Sequence, residues 1–238
     1  MSESKVAVVL GVGPGLGAAI ARRFARAGFT VGIMARNAEK LKAIQTQIEQ
    51  DGGTALSVSA DATDLASVTA AFSQIKQQLG EPEVFIYNTG AFQMASALEI
   101  TPEQFEYNWK ANCFGAFLGV QQVLPAMLER GRGTILFTGA TAAMKGSAKF
   151  ASFAVGKFGL RALAQSLARE FGPQGIHVAH IIIDGIIDTP RVRQMMPNRE
   201  QQTMLSPDAI AETYLQLYLQ DSSAWTLEID LRPAVETF

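Results

Sequence analysis

Cysteine is almost missing from this chain: Cys113 is the only one in 238 residues. No intrachain disulfide can therefore form, and no thiolate metal cluster can be assembled. A chain of this kind suits a reducing compartment, and a cytoplasmic location is expected. An excess of positive charge is missing as well. Twenty Lys and Arg stand against 22 Asp and Glu, a net charge of −2, so no broad positive field exists to hold a phosphodiester backbone. Nucleic acid is not expected as a partner. The start, Met1-Ser2-Glu3-Ser4-Lys5, has neither the apolar core of a signal peptide nor the Arg-rich character of a transit peptide. No apolar stretch approaches the ~20 residues that cross a bilayer, and no membrane partner is expected. Repeats, low-complexity tracts and linkers are also missing.

What is present is a chain that is 48% hydrophobic and 18% charged, the balance of a globular protein with a large buried sheet. One domain over residues 1–238 is expected from the length. Short β-branched runs alternate with stretches of helical period, the pattern of parallel βαβ units. Strands are predicted at Val6–Leu10, Val31–Ala35, Ala55–Ser59, Val84–Tyr87, Ile135–Phe137, Val178–Ile183 and Trp225–Leu231. Helices are predicted over Leu16–Ala27, from Asn37 with a buried stripe of Leu41, Ile44 and Ile48, over Asp64–Leu79, from the Thr101-Pro102-Glu103-Gln104 capping box to Arg130, over Ser152–Phe171, and after Ser206-Pro207. The fold class is α/β: a three-layer Rossmann arrangement, a doubly wound seven-stranded parallel sheet with helices on both faces. The one long irregular connection, Thr189–Leu205, is expected to act as a substrate lid.

Between the first strand and first helix lies Gly11-Val12-Gly13-Pro14-Gly15-Leu16-Gly17. Glycines there let the backbone approach a pyrophosphate, and free amides at the positive end of the helix attract its charge. Gly11, Gly13, Gly15, Leu16 and Gly17 are accordingly assigned to a dinucleotide. A site that prefers NAD places an acid at the end of the second strand, ~20 residues on. Here that end reads Met34-Ala35-Arg36-Asn37. Arg36 is placed to pair with a 2′-phosphate through its planar fork, so NADP(H) is the expected cofactor; a solvated strand-end arginine is the alternative.

These motifs, in this order, resemble the short-chain dehydrogenase/reductase family over nearly the whole chain. Gly11-x-x-x-Gly15-x-Gly17 has the family's glycine spacing. Asp61-Ala62 resembles its adenine-contacting pair, and Asn88-Thr89-Gly90-Ala91 its turn after the fourth strand. Asn112 matches the asparagine that holds a proton-relay water, with relief of a helix kink as its other reading. Asp184-Gly185-Ile186-Ile187-Asp188-Thr189 resembles the segment whose backbone and threonine hold the nicotinamide carboxamide. The resemblance thus implies that Asp61, Ala62, Asn88, Gly90, Gly185 and Thr189 bind the cofactor.

The family's chemistry uses a lysine, a tyrosine four residues before it, and a serine at the end of the fifth strand. The lysine is Lys157, assigned to the nicotinamide ribose or, alternatively, to the helix surface. The tyrosine position is Phe153, the tyrosine position of the enoyl-reductase branch is Phe150, and the serine position is Ala140. A phenyl ring has no proton to give an alkoxide, and loss of a general acid costs ~10²–10⁴ in rate. Lys157 and Asn112 are the remaining catalytic candidates. Replacement acids are Asp184, which is alternatively a turn residue, Thr141 and water; Thr138 is the other nearby hydroxyl. Phe150 and Phe153 are pocket walls or core aromatics. His177 and His180 read as buried histidines rather than catalysts, and Cys113 as packing.

The function implied is an NADP(H)-dependent oxidoreductase with an atypical acid group acting on a small carbonyl, imine or enone compound. The alternative is a catalytically inactive NADP(H)-binding protein that serves as a redox sensor or complex partner. The resemblance also implies a homodimer or homotetramer through the long helix and the Lys157 helix, where Phe158, Leu160, Leu163 and Leu167 supply apolar surface. Trp225–Phe238 lacks the glycine pair usual near the family's C-terminus.

Overall fold

A computed structural model describes residues 5–235; of the amino-terminal and carboxy-terminal expectations, residues 1–4 and 236–238 lie outside them. Seven parallel strands form the sheet: β1 (Val6–Leu10), β2 (Thr30–Ala35), β3 (Thr54–Ser59), β4 (Val84–Tyr87), β5 (Gly133–Thr138), β6 (Ile176–Ile183) and, after two short strands described below, β9 (Glu228–Leu231). Their order is β3-β2-β1-β4-β5-β6-β9. β1 pairs with both β2 and β4, so the chain reverses its winding direction there. A crevice opens beyond the strand ends at such a switch point.

The helices arise where the apolar period and the caps place them. α1 (Leu16–Arg26) buries Ile20 and Phe24, and α2 (Ala38–Gln50) is capped by Asn37, whose side chain accepts from the Lys40 amide. α3 (Leu65–Leu79) is capped by Asp64, and α4 (Pro102–Trp109) by the Thr101/Gln104 capping box. α5 (Gly115–Arg130), α6 (Ala151–Phe171) and α8 (Pro207–Tyr218) complete the layers. One core cluster holds Ile20, Phe24, Leu41 and Tyr214 on one sheet face, and a second holds Phe72, Phe85, Tyr87 and Leu160 on the other. The three-layer, doubly wound, seven-stranded expectation holds.

Three departures matter. The long helix is broken by a π turn, Lys110–Phe114, between α4 and α5. The side chain of Tyr87 donates to the Ala111 carbonyl at 2.8 Å and Asn112 Nδ2 to the Asn108 carbonyl at 2.9 Å, which removes both carbonyls from regular helical pairing. Secondly, Thr189–Leu205 is not irregular. It contains α7 (Pro190–Met195), and β8 (Met204–Leu205) pairs in parallel with β7 (Ile186–Ile187) as a separate small sheet. Thirdly, counted through the π turn, Pro102–Arg130 is long and apolar enough to cross a bilayer by length and composition, contrary to the expectation that no stretch approached that size. Half of its apolar window is buried in this fold, where α5 packs on α3, β4 and β5.

Candidate active site

At the switch point a crevice of about 230 Å³ is lined by Gly11, Gly13, Arg36, Asp61, Ala62, Asn88, Gly90 and Tyr107, among others. Gly11 sits at φ +104°, and a Cβ there would lie 2.4 Å from the Thr89 amide nitrogen. Only glycine allows β1 and the turn after β4 to approach this closely. Gly13 faces open space. Gly15, Leu16 and Gly17 do not line that crevice: Leu16 and Gly17 are buried in α1, with Gly17 tight against the Gly11 carbonyl, and Gly15 abuts the Thr189 methyl. These three shape the loop and the helix start, and Gly15 brings the Thr189 segment beside it.

Arg36, at the end of β2, is exposed and donates to the Tyr107 hydroxyl at 2.9 Å. Across the crevice, burial pushes the Asp61 carboxyl upward, but hydrogen bonds from the Thr63 amide and hydroxyl, with the charge of Arg36, hold it below its ordinary range. The crevice thus carries a cation at the β2 end and a carboxylate at the β3 end. Asn88 locks the loop: Nδ2 donates to the Gly11 carbonyl at 2.8 Å, while its oxygen accepts from Thr138 at 3.0 Å. Thr138 Oγ1 in turn lies 2.7 Å from the Tyr214 hydroxyl. A polar chain therefore runs from α8 through β5 to the glycine loop.

Lys157 is 4% exposed. Its Nζ donates to the Thr138 carbonyl at 2.8 Å and lies 6.0 Å from the centre of the Phe153 ring. Burial pushes the ammonium down to about 8. The ring at the tyrosine position thus meets the lysine through its π face rather than through a hydroxyl. Lys157 and Asn112 converge: a Cβ on Gly90 would lie 3.7 Å from Lys157 Nζ and 3.2 Å from Asn112 Oδ1. Asn112 Nδ2 donates to both the Ala91 and Asn108 carbonyls at 2.9 Å, so this side chain relieves the helix break and ties it to the turn after β4.

Ala140 supplies no hydroxyl, and Thr138 is committed to Asn88 and Tyr214. Thr141 donates to Asp184 Oδ1 at 2.5 Å, while Asp184 Oδ2 lies 3.7 Å from Arg232. The Asp184 carboxylate thus serves tertiary partners rather than its own turn. Gly185, at φ +150°, packs on Leu205 and Pro233, and the Thr189 hydroxyl caps α7 by accepting from the Val192 amide. Above Phe153, Phe92 stands edge-on to both Phe150 and Phe153, at 5.6 and 5.4 Å. Phe92 is 69% exposed, so the three rings form an open apolar wall.

Sequence reasoning missed Tyr107, Tyr214, Phe92 and Arg232. Phe92 was signalled by its place directly after the Asn88–Ala91 turn; the other three reach the site from distant elements. His177 is not at the site: it bonds the Thr226 carbonyl and stacks on Trp225. His180 is buried against Gly139, and burial, aided by the Lys157 charge, pushes it down to about 4, so it is neutral near pH 7. Cys113 packs against Gly159, and burial pushes its thiol up. The expected apolar outer surface of α6 is corrected: Leu160 and Leu167 are buried and Leu163 packs on the same core, leaving Phe158 and Val155 outside.

The sequence profile of the short chain dehydrogenase family matches residues 5–200. The chain is 33% identical over 193 residues to a short-chain dehydrogenase/reductase of Armillaria gallica, covering 80% of this chain and 74% of that one. Among solved structures, a short-chain dehydrogenase from Rhodopseudomonas palustris is 41% identical, with a TM-score of 0.84 over 96% of this chain and 98% of the other. A metagenomic short-chain oxidoreductase in complex with NADP is 26% identical, with a TM-score of 0.84 over 99% of this chain and 100% of the other.

Proposed function

The chain belongs to the short-chain dehydrogenase family, and on that premise we propose that it is an NADP(H)-dependent oxidoreductase whose acid group is atypical. The observation that carries the cofactor reading is the switch-point crevice, with a glycine loop at its floor and the exposed guanidinium of Arg36 at the β2 end. A metagenomic relative that was crystallised with NADP supports it. Amides of the loop and of the α1 start would receive the pyrophosphate, Arg36 the 2′-phosphate, and Asp61 with Ala62 the adenine. Lys157, Gly185 and Thr189 would receive the nicotinamide end.

NADP(H) supplies or accepts a hydride; the chain's own residues hold the substrate beside it and exclude water. Phe150, Phe153 and Phe92 wall the substrate space, and the segment 189–205, with its exposed Met195, closes over it. The substrate is a small carbonyl, imine or enone compound. The partner copy in a homodimer or homotetramer packs on the exposed Trp109, Phe117, Val155 and Phe158. The single cysteine is in keeping with a cytoplasmic location as part of this reading.

The absence of both a phenol at Phe153 and a hydroxyl at Ala140 favours a second reading, an inactive NADP(H)-binding protein that acts as a redox sensor or complex partner. Nicotinamide absorbance followed over a panel of ketones, imines and enones separates the two. Turnover of any member is expected; no turnover with NADPH bound transfers the case to the second reading. The Ala140→Ser/Phe153→Tyr double variant is expected to gain ketone reduction by about 10²-fold or more, since a positioned acid supplies that factor, with unchanged NADPH affinity.

A further inference from the structure

The family resemblance places a pair of side-chain donors, tyrosine and serine, where a carbonyl oxygen becomes an alkoxide. The corresponding place in this chain offers none. Phe153 and Ala140 have no polar atom in their side chains. The proton of Thr141 is directed onto Asp184 Oδ1 at 2.5 Å, so the lone pairs of that hydroxyl, not its hydrogen, remain for a ligand. Both Nδ2 protons of Asn112 are held by the Ala91 and Asn108 carbonyls, and its buried Oδ1 has no partner among the described residues. Because both neighbours of Nδ2 are carbonyl oxygens, the orientation of that amide is fixed. Lys157 gives one N–H to the Thr138 carbonyl and turns its charge toward the Phe153 ring. In the cofactor reading above, its other protons face the nicotinamide ribose.

Acceptors dominate instead. Asp184 is a carboxylate at the start of the segment that the resemblance assigns to the nicotinamide end, and together with Asp230 it shares the guanidinium of Arg232. With the buried Lys157 ammonium included, the formal charges of these side chains balance, so it is the Asp184 carboxylate itself rather than a net negative field that would meet a cation. The Thr141–Ala143 turn packs on α6, the helix that carries Phe153, and Phe92, Phe150 and Phe153 supply faces and edges as an apolar wall. Among the described residues, the tyrosine and serine positions give a polarised carbonyl oxygen no hydroxyl donor, and in the cofactor reading the remaining Lys157 protons go to the ribose, so an alkoxide is poorly steadied. A planar cation bearing N–H finds acceptors for its protons, a carboxylate for its charge, and aromatic rings for its face.

We infer that this site, resting on the NADP(H) oxidoreductase reading, takes an imine in its protonated, cationic form rather than a ketone. The step balances without an enzyme acid: hydride leaves C4 of NADPH and forms a C–H bond at the iminium carbon, while the C=N π pair becomes the lone pair of a neutral amine, leaving NADP⁺. The amine takes a proton from water afterwards. In the opposite direction a neutral amine gives up hydride to NADP⁺ and becomes the iminium ion.

The test uses the full chain with NADPH. Turnover of 3,4-dihydroisoquinoline and of the permanently charged N-methyl-3,4-dihydroisoquinolinium is compared with that of the ketone 1-tetralone. A kcat/KM for both imine compounds at least 100-fold above the ketone is expected. Independently of chemistry, calorimetry on NADPH-saturated protein is expected to show protonated 1,2,3,4-tetrahydroisoquinoline binding at least tenfold tighter than its neutral oxygen isostere, isochroman. Asp184→Asn and Thr141→Val should each narrow that binding ratio, measured on protein saturated with NADPH. If NADPH itself does not saturate the protein, the cofactor reading fails and this inference with it. If NADPH saturates while the ketone is reduced as well as the imines, or neither is reduced, or isochroman binds as tightly as the amine, this inference alone is overturned.

Discussion

Lys157 carries a charge into the interior, and at the residue scale that has a thermodynamic cost that depends on pH. An ordinary lysine ammonium titrates near 10.5, and this one is pushed down by burial to about 8. Between those values the unfolded chain binds the proton that the folded chain has lost, so stability rises with pH across that window. Below pH 8 both states are protonated and the whole penalty remains, on the order of 3 kcal/mol for a shift of this size. Lys157→Met is therefore expected to be more stable than the parent at pH 7, with the difference shrinking as pH climbs from 8 to 10.5. Urea unfolding at several pH values checks it; a difference that stays constant with pH contradicts the burial account. Arg36 lies at the other extreme of exposure. Removing a charge-assisted contact to a phosphate typically costs about 1.5–3 kcal/mol, so Arg36→Ala should weaken NADPH binding by about tenfold or more while leaving NADH nearly unaffected. Equal losses for both cofactors would remove Arg36 from the 2′-phosphate. Phe153 and Lys157 were legible because they stand one turn apart on a single helix. The Thr141 to Asp184 bond was not, because it joins residues 43 apart that meet only after β5 and β6 are paired.

At the element scale, apolar periodicity and capping residues marked most helices and strands to within a few residues, with the strand Val84–Tyr87 placed to the residue. The π turn was hinted at only by the helix-kink reading of Asn112, since the apolar pattern of Pro102–Arg130 runs through it without a break. Its causes are tertiary: Tyr87 reaches in from β4, and α6 presses against it. Gly156 marks that pressure, because a Cβ there would lie 2.6 Å from Asn112 Cβ. Gly156→Ala is expected to destabilise the fold by about 1–3 kcal/mol through overpacking, measured by chemical denaturation. It should also disturb the Asn112 amide, which ties the helix break to Ala91. An alanine variant as stable as the parent would mean that α6 and the π turn separate freely. The small β7/β8 sheet escaped notice for a different reason. Each strand has two residues, too short for a period to show, and its register depends on Asp188 donating its amide to the Leu205 carbonyl.

For the whole molecule, a group of exposed apolar residues lies on the neighbouring helices α4, α5 and α6. Trp109 stacks on Phe114 at 5.3 Å and Phe114 on Phe117 at 6.3 Å, and Phe158 and Val155 lie exposed on α6. Aromatic residues at that density are what the core of a protein interface uses. Sedimentation is expected to show an oligomer, and Phe158→Glu to shift it toward the monomer with unchanged NADPH binding per chain. A parent that sediments as a monomer at all concentrations would remove the interface. This face could not be read as continuous from sequence, because the apolar residues assigned to it included Leu160, Leu163 and Leu167, which the sheet side of α6 takes.

The account as a whole rests on a phosphorylated dinucleotide seated on the glycine loop and reaching Arg36. Isothermal titration of the intact chain with NADPH and with NADH measures that directly. Saturation with one NADPH per chain and at least tenfold weaker binding of NADH is the predicted result; saturation with neither, or tighter binding of NADH, would contradict it.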